Sequence, residues 1–184
     1  YSALAYGSKE IIYYQFTDHT ASSGAGDGVL DGKTLEVGNV YNWTKQANNE
    51  VAGMSAAYMN FTWKSASVFG KTNLTQFNNL KNKASAYGVL SDVSSSASVL
   101  VGNFDDADGK YTYGAKNGYM VVNYGNTDGA THATSAVTLT FTGMTRALVY
   151  ENGDASVVSL TNNQLTLNLE LGEGAFVIPL TNTK

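Results

Sequence analysis

Ala136-Val-Thr-Leu-Thr-Phe141, Arg146-Ala-Leu-Val-Tyr150, Ser156-Val-Val-Ser-Leu160, Gln164-Leu-Thr-Leu-Asn-Leu169 and Gly174-Ala-Phe-Val-Ile178 follow one another near the end of the chain. Apolar and polar residues alternate in several of them, the period-2 pattern of a strand with one buried face. Working back from these, Gly118-Tyr-Met-Val-Val-Asn-Tyr124, Ser98-Val-Leu-Val-Gly-Asn-Phe104 and Phe61-Thr-Trp-Lys-Ser-Ala-Ser-Val-Phe69 also read as short strands. Between them stand Asp108-Gly109, Asn117-Gly118, Asn152-Gly153 and Asn162-Asn163, read as turns because Asn and Gly tolerate positive φ. Pro179 comes at the end of the last strand, where a missing N–H does least harm. Many short strands separated by turn signals predict an antiparallel β-sandwich over residues 61–184. The polar stretch 71–96 yields no placed strand.

Composition points the same way. The 184 residues include 19 Gly and 12 Tyr, with 43% hydrophobic and 14% charged residues, so the chain is able to bury a core and is rich in turns. That length holds one domain, or one domain and part of another. A net charge of −4 and a pI near 5.0 provide no footprint for nucleic acid or an anionic membrane, so neither is expected as a partner. With no Cys, disulfides, thiolate zinc sites and cysteine catalysis are excluded. No run approaches 18 apolar residues, the length of a membrane-spanning helix.

Residues 1–60 read differently. Ser2-Ala-Leu-Ala-Tyr6 suits a short helix, with Gly7 as the residue that ends it. Ile11-Ile-Tyr-Tyr14 is unbroken apolar and β-favouring, which predicts a strand buried on both faces, as in a parallel sheet. A glycine-rich loop follows to about Lys33, long enough to suggest a functional role. A helix is then predicted over 35–58, its continuous stripe made by Val37, Val40, Tyr41, Thr44, Ala47, Asn48, Val51 and Met54, with Lys45, Gln46, Asn49 and Glu50 opposite. Strand, loop and helix make one β/α unit, too little to close a sheet alone. The chain begins at Tyr1 with no basic start and apolar stretch behind it, and is expected to be the C-terminal piece of a longer protein.

Few residues carry chemistry on their own. Asp105-Asp-Ala-Asp-Gly109 fails as an EF-hand-type loop because Phe104 would fall at its first ligand position, so a hairpin turn with solvated carboxylates is the better reading. His19 and His132 are far apart and show no ligand spacing, and no nucleophile-elbow or phosphate-loop motif occurs. Asn42-Trp-Thr44, Asn60-Phe-Thr62 and Asn73-Leu-Thr75 match the glycosylation pattern, which chance alone explains in so Asn- and Thr-rich a chain. Trp63 is expected to pack between the helix and the β domain.

Leu4-Ala-Tyr-Gly-Ser-Lys-Glu-Ile-Ile-Tyr-Tyr-Gln-Phe16 resembles the last barrel strand, with the end of the helix before it, of (β/α)8 glycoside hydrolases of the β-galactosidase type. Tyr41-Asn-Trp-Thr-Lys-Gln-Ala-Asn-Asn-Glu50 resembles the helix after that strand, and residues 146–180, ending Gly172-Glu-Gly-Ala-Phe-Val-Ile-Pro-Leu180, resemble the C-terminal β domain. The resemblance implies an incomplete barrel unit over 1–60 and an accessory sandwich over 61–184, with the upstream part of the same barrel as partner. It implies a retaining glycosidase acting on carbohydrate with no cofactor, through two carboxylates about 5 Å apart. In that family these come from the fourth and seventh barrel strands, so no catalytic residue is assigned here; Glu10 lies near the wrong end of its strand. Phe16, Asp18 and His19, after the eighth strand, are the expected substrate-binding residues. Family members often carry a Trp there, where this chain has Phe16-Thr17-Asp18. A second reading stays open: a non-catalytic β-sandwich module that binds carbohydrate or a partner, capped by residues 1–60. A lone exposed apolar strand over Ile11–Tyr14, together with one unmet face of the Val37–Met54 helix, would mark the barrel piece, and a strand paired into the β domain would mark the module.

Overall fold

The computed structural model describes residues 1–13, 17, 28–38, 40–70, 86–109, 116–125 and 134–181. Among the described residues two helices, α1 (Ser2–Ala5) and α2 (Tyr41–Tyr58), precede nine strands: β1 (Phe61–Gly70), β2 (Leu90–Ser95), β3 (Ser98–Asp106), β4 (Asn117–Gly125), β5 (Ser135–Phe141), β6 (Arg146–Glu151), β7 (Asp154–Ser159), β8 (Gln164–Leu169) and β9 (Gly174–Leu180). One sheet has six strands in the order β1-β3-β4-β9-β6-β7, and a second has three in the order β2-β5-β8. Every pairing between these strands is antiparallel. The predicted mostly-β, antiparallel sandwich is therefore present.

The two sheets face each other across a core. Val99, Val101, Tyr119, Val121, Val149, Ala175 and Val177 on the larger sheet meet Leu90, Val93, Val137, Leu139, Phe141, Leu165, Leu167 and Leu169 on the smaller. The outer face of the larger sheet is apolar as well: Val68, Leu100, Phe104, Met120, Val122, Phe176 and Ile178 pack against Leu4 and Ala5 of α1 and Met54, Ala57 and Tyr58 of α2. The arrangement is three-layered, helices on six strands on three strands. This explains the two kinds of strand in the sequence. β8 has one covered face and alternates between exposed and buried residues, whereas β3, β4 and β9 are covered on both faces and are buried almost throughout. Asn152-Gly153 and Asn162-Asn163 turn with positive φ at all four residues: the first joins β6 to β7 as a two-residue hairpin, and the second is a tight turn between Thr161 and Gln164 on the crossing from the larger sheet to the smaller.

Two backbone contacts seat the helices. A side chain at Gly102 of β3 would run into the Ala5 carbonyl of α1, and one at Gly53 of α2 would run into the Gly153 carbonyl at the β6–β7 turn. Glycine at both places lets main chain approach main chain. Trp63 also joins α1 to the sheet, donating its Nε1–H to the Ala5 carbonyl at 3.0 Å. It thus packs on the first helix and on Gly7 just beyond it.

Several local expectations differ. Residues 9–13 form no strand: Ile11, Ile12 and Tyr13 are exposed, and among the described residues no strand pairs with them. Residues 14–16, the end of that expected strand, lie outside the described residues. The long helix begins at Tyr41 rather than at Leu35, because 28–38 folds on itself first. Asp31 Oδ1 accepts the N–H groups of Lys33 and Thr34, Leu35 takes a φ of 59°, and Gly38 donates to the Val29 carbonyl. Asn117-Gly118 is not a turn but part of β4, where Gly118 lies directly beneath Phe61 and Phe176. A strand absent from the sequence reading, β2, occupies residues 90–95.

Candidate functional site

Of the residues singled out for substrate binding, Phe16, Asp18 and His19 lie outside the described residues, as does His132. Thr17, between them, forms an isolated parallel bridge with Leu30. Glu10 is exposed on the irregular segment after α1. Asp105 has structural partners: it accepts hydrogen bonds from the Tyr87 hydroxyl and the Asn117 amide, both at 2.9 Å, and its other oxygen is 3.7 Å from Lys64 Nζ. Among the described residues no group of three or more acidic or histidine side chains is placed to hold a metal ion. Asn42 is exposed within α2, Asn60 turns its amide back to the Ala56 carbonyl, and Asn73 is outside the described residues.

Chemistry-bearing side chains gather instead in an open cleft of about 570 Å³. One wall is the first half of α2, with Trp43, Gln46 and Glu50; the other comprises Asn152 of the β6–β7 turn and Glu170, Leu171 and Glu173 of the β8–β9 turn, and Tyr1 completes the lining. A shallower recess of about 380 Å³ continues from it past Asn42, Lys45 and Asn49. Each wall has a local cause. Close contact of Gly53 with Gly153 brings Asn152 against α2. The β8–β9 turn is closed by a Glu173 N–H to Glu170 carbonyl bond of 3.0 Å, with Gly172 at φ 83°, the conformation required at the third position of a type II turn. The Glu173 carboxylate reaches back to accept the Glu170 N–H at 2.6 Å. Gly172 N–H and Glu173 C=O bond to the main chain of Asn123, tying this turn to β4.

Glu50 is the one charged side chain at the floor of the cleft, only 7% exposed. Its Oε2 accepts the Tyr1 hydroxyl at 2.5 Å and its Oε1 the Gln46 amide at 2.8 Å. A buried carboxylate needs such donors, and these hold it in one orientation. Burial pushes the Tyr1 phenol well above its ordinary range, helped by the bond to Glu50 and by the charges of Glu50, Glu173 and Glu151. Burial also raises the Glu151 carboxyl, and the nearby Glu173 charge adds to it. The cleft therefore carries a negative potential, and among the described residues neither Lys nor Arg lines it. At its rim Trp43 exposes 69% of its surface. Sequence reasoning assigned Glu50 to the solvent face of the helix; no local signal shows that a turn some hundred residues later closes over it.

A second surface lies along the other flank of α2. Residues 8–11 run beside the helix over a recess of about 240 Å³ lined by Leu4, Val51, Met54 and Tyr58. Lys9 fastens this segment, donating to the carbonyls of Tyr58 and Phe61 at 2.9 Å each, with Nζ 4.0 Å from the centre of the Tyr58 ring. Burial depresses the Lys9 ammonium. Tyr13 donates its hydroxyl to Asn48 Oδ1 at 2.8 Å, and beside it Ile12 stays 79% exposed. Comparison of the chain with protein-family models, curated proteins and solved structures finds no match.

Proposed function

We propose that this chain is the C-terminal portion of a glycoside hydrolase of the β-galactosidase type, its sandwich supporting a (β/α)8 barrel that carries the catalytic carboxylates outside these residues. The observation that carries the reading is the segment 9–13. It is held beside α2 by Lys9 and Tyr13, has no strand partner among the described residues, and leaves Ile11, Ile12 and Tyr13 exposed. An unpaired, apolar, β-favouring segment next to a docked helix is a surface for further strands to cover. In this reading Phe16, Asp18 and His19 face the sugar, by stacking and by hydrogen bonds to its hydroxyls. The upstream part of the barrel is the partner and the reaction needs no cofactor.

The test compares this chain with the same chain joined to the coding sequence preceding it, on p-nitrophenyl β-D-galactoside, β-D-glucoside and β-D-xyloside. Hydrolysis by the longer protein alone, with retained anomeric configuration by NMR, is the expected result. Turnover by the 184-residue chain, or none by the longer protein, overturns the proposal.

A further inference from the structure

We infer that the cleft between α2 and the β6–β7 and β8–β9 turns binds a neutral saccharide, with Trp43 as its stacking face and Gln46, Glu50, Asn152 and Glu173 as its hydrogen-bonding partners. The inference stands apart from the reading above, since none of these residues belongs to the expected barrel site.

The first argument is Trp43. Its indole stands 69% exposed at the rim of a concave polar surface, and its flat face suits the C–H face of a pyranose ring. The second is the chemistry of the lining. Sugar hydroxyls both donate and accept, and the cleft offers carboxylate acceptors in Glu50 and Glu173 beside amide groups in Gln46 and Asn152. Each carboxylate is already oriented, Glu50 by Tyr1 and Gln46 and Glu173 by the Glu170 N–H, so little ordering is left for a ligand to bring about. The third is what the lining excludes. With three glutamates and no Lys or Arg among its described lining residues, the cleft disfavours phosphates, sulfates and acidic sugars. An organic cation would also gain from the carboxylates and from the indole face, and choline is the probe that separates it from a neutral sugar. A volume of about 570 Å³ lies within the range of small-ligand sites and has room for a mono- or disaccharide. The walls are fixed by main-chain contacts, Gly53 with Gly153 and Gly172 and Glu173 with Asn123, so the site is formed before a ligand arrives.

The chain has two tryptophans, which makes the test direct. The full chain, labelled with ¹⁵N, is titrated with D-galactose, D-xylose, cellobiose, sodium glucuronate and choline while the two indole N–H signals are followed. Saturable movement of the Trp43 signal with at least one neutral sugar is expected, with a Kd on the order of millimolar for a site with a single aromatic platform. The Trp63 signal should stay in place, because its N–H is committed to Ala5. Trp43→Ala should abolish the response seen by calorimetry while leaving the melting temperature unchanged, and Asn152→Gly, which keeps the positive-φ turn but removes the amide, should weaken it about ten-fold, the worth of about one hydrogen bond. No response to any neutral sugar overturns the inference, as does a response to choline or glucuronate alone, or equal binding by Trp43→Ala.

Discussion

Gly53→Ala gives opposite answers depending on whether α2 is docked as described. Gly53 is in the fourth turn of the helix and is exposed, so helix propensity alone predicts a gain of about 1 kcal/mol from alanine. The structure reverses this. A Cβ at this position would collide with the Gly153 carbonyl oxygen, with the Gly153 carbonyl carbon at 2.8 Å and its Cα at 2.9 Å. All three are backbone atoms of a turn whose residues already sit at positive φ, so no side chain can rotate out of the way. Forcing an extra methyl into such a contact costs about 1–3 kcal/mol. Set against the propensity gain, the net outcome is a loss of up to about 2 kcal/mol, or about 2–4 °C of melting temperature for each kcal/mol at this chain length. Urea unfolding followed by tryptophan fluorescence measures it, with an unchanged m-value showing that the two end states are the same. Ala52→Gly, one residue earlier and also exposed, serves as control and should cost about 1 kcal/mol through propensity alone. If Gly53→Ala raises stability by about 1 kcal/mol, α2 does not rest on the β6–β7 turn, and the cleft loses its second wall.

Further outcomes follow from the same contacts. Phe176, fully buried on β9, meets Tyr58, Phe61 and Phe104 edge-on at centroid distances of 5.5, 5.2 and 5.8 Å, so Phe176→Ala should cost about 3–5 kcal/mol in denaturant melts. Burial pushes the Tyr58 and Tyr87 phenols up to about 12, with the bond to Asp105 contributing at Tyr87. The folded state then keeps protons that the unfolded chain releases near pH 10, so stability should fall as pH rises from about 10 to about 12. Thermal melts across that window check the fall, and Tyr87→Phe should make it shallower. The Glu151 carboxyl is raised by burial and by Glu173, so its folded pKa lies above its unfolded one, and ionising it weakens the fold. Glu151→Gln should therefore melt higher than the parent at neutral pH, and the two should converge below the ordinary carboxylate range.

The tight turns were legible because their signal is local. Asn152-Gly153 and Asn162-Asn163 are residues that accept positive φ whatever surrounds them, and they adopt it. β2 was not legible for an equally physical reason. It is an edge strand of the smaller sheet, its pairing with β5 shifts register between Leu90 and Asp92, and only Leu90 and Val93 are buried. A bulge places those two apolar residues three apart, which removes the period-2 pattern. Asn117-Gly118 reads like a turn and lies in a strand, because what fills the space over Gly118 is Phe61 and Phe176, far off in sequence. The long helix was visible from its stripe, and Thr44, Ala47, Val51 and Met54 do lie on its covered side. Its start was displaced by a cluster of short-range bonds around Asp31 and by the positive φ of Leu35.

Alternation and turn chemistry are properties of a few adjacent residues, so the residues alone were enough to announce antiparallel strands and a sandwich built from them. Which sheet face a helix would cover, and that Glu50 would be buried beneath a cleft rather than solvated, depends on Gly53 meeting Gly153 across a separation no local pattern spans. The apolar run at Ile11 illustrates the same division. Its composition announces a buried strand, but burial needs a partner surface, and among the described residues the fold supplies none.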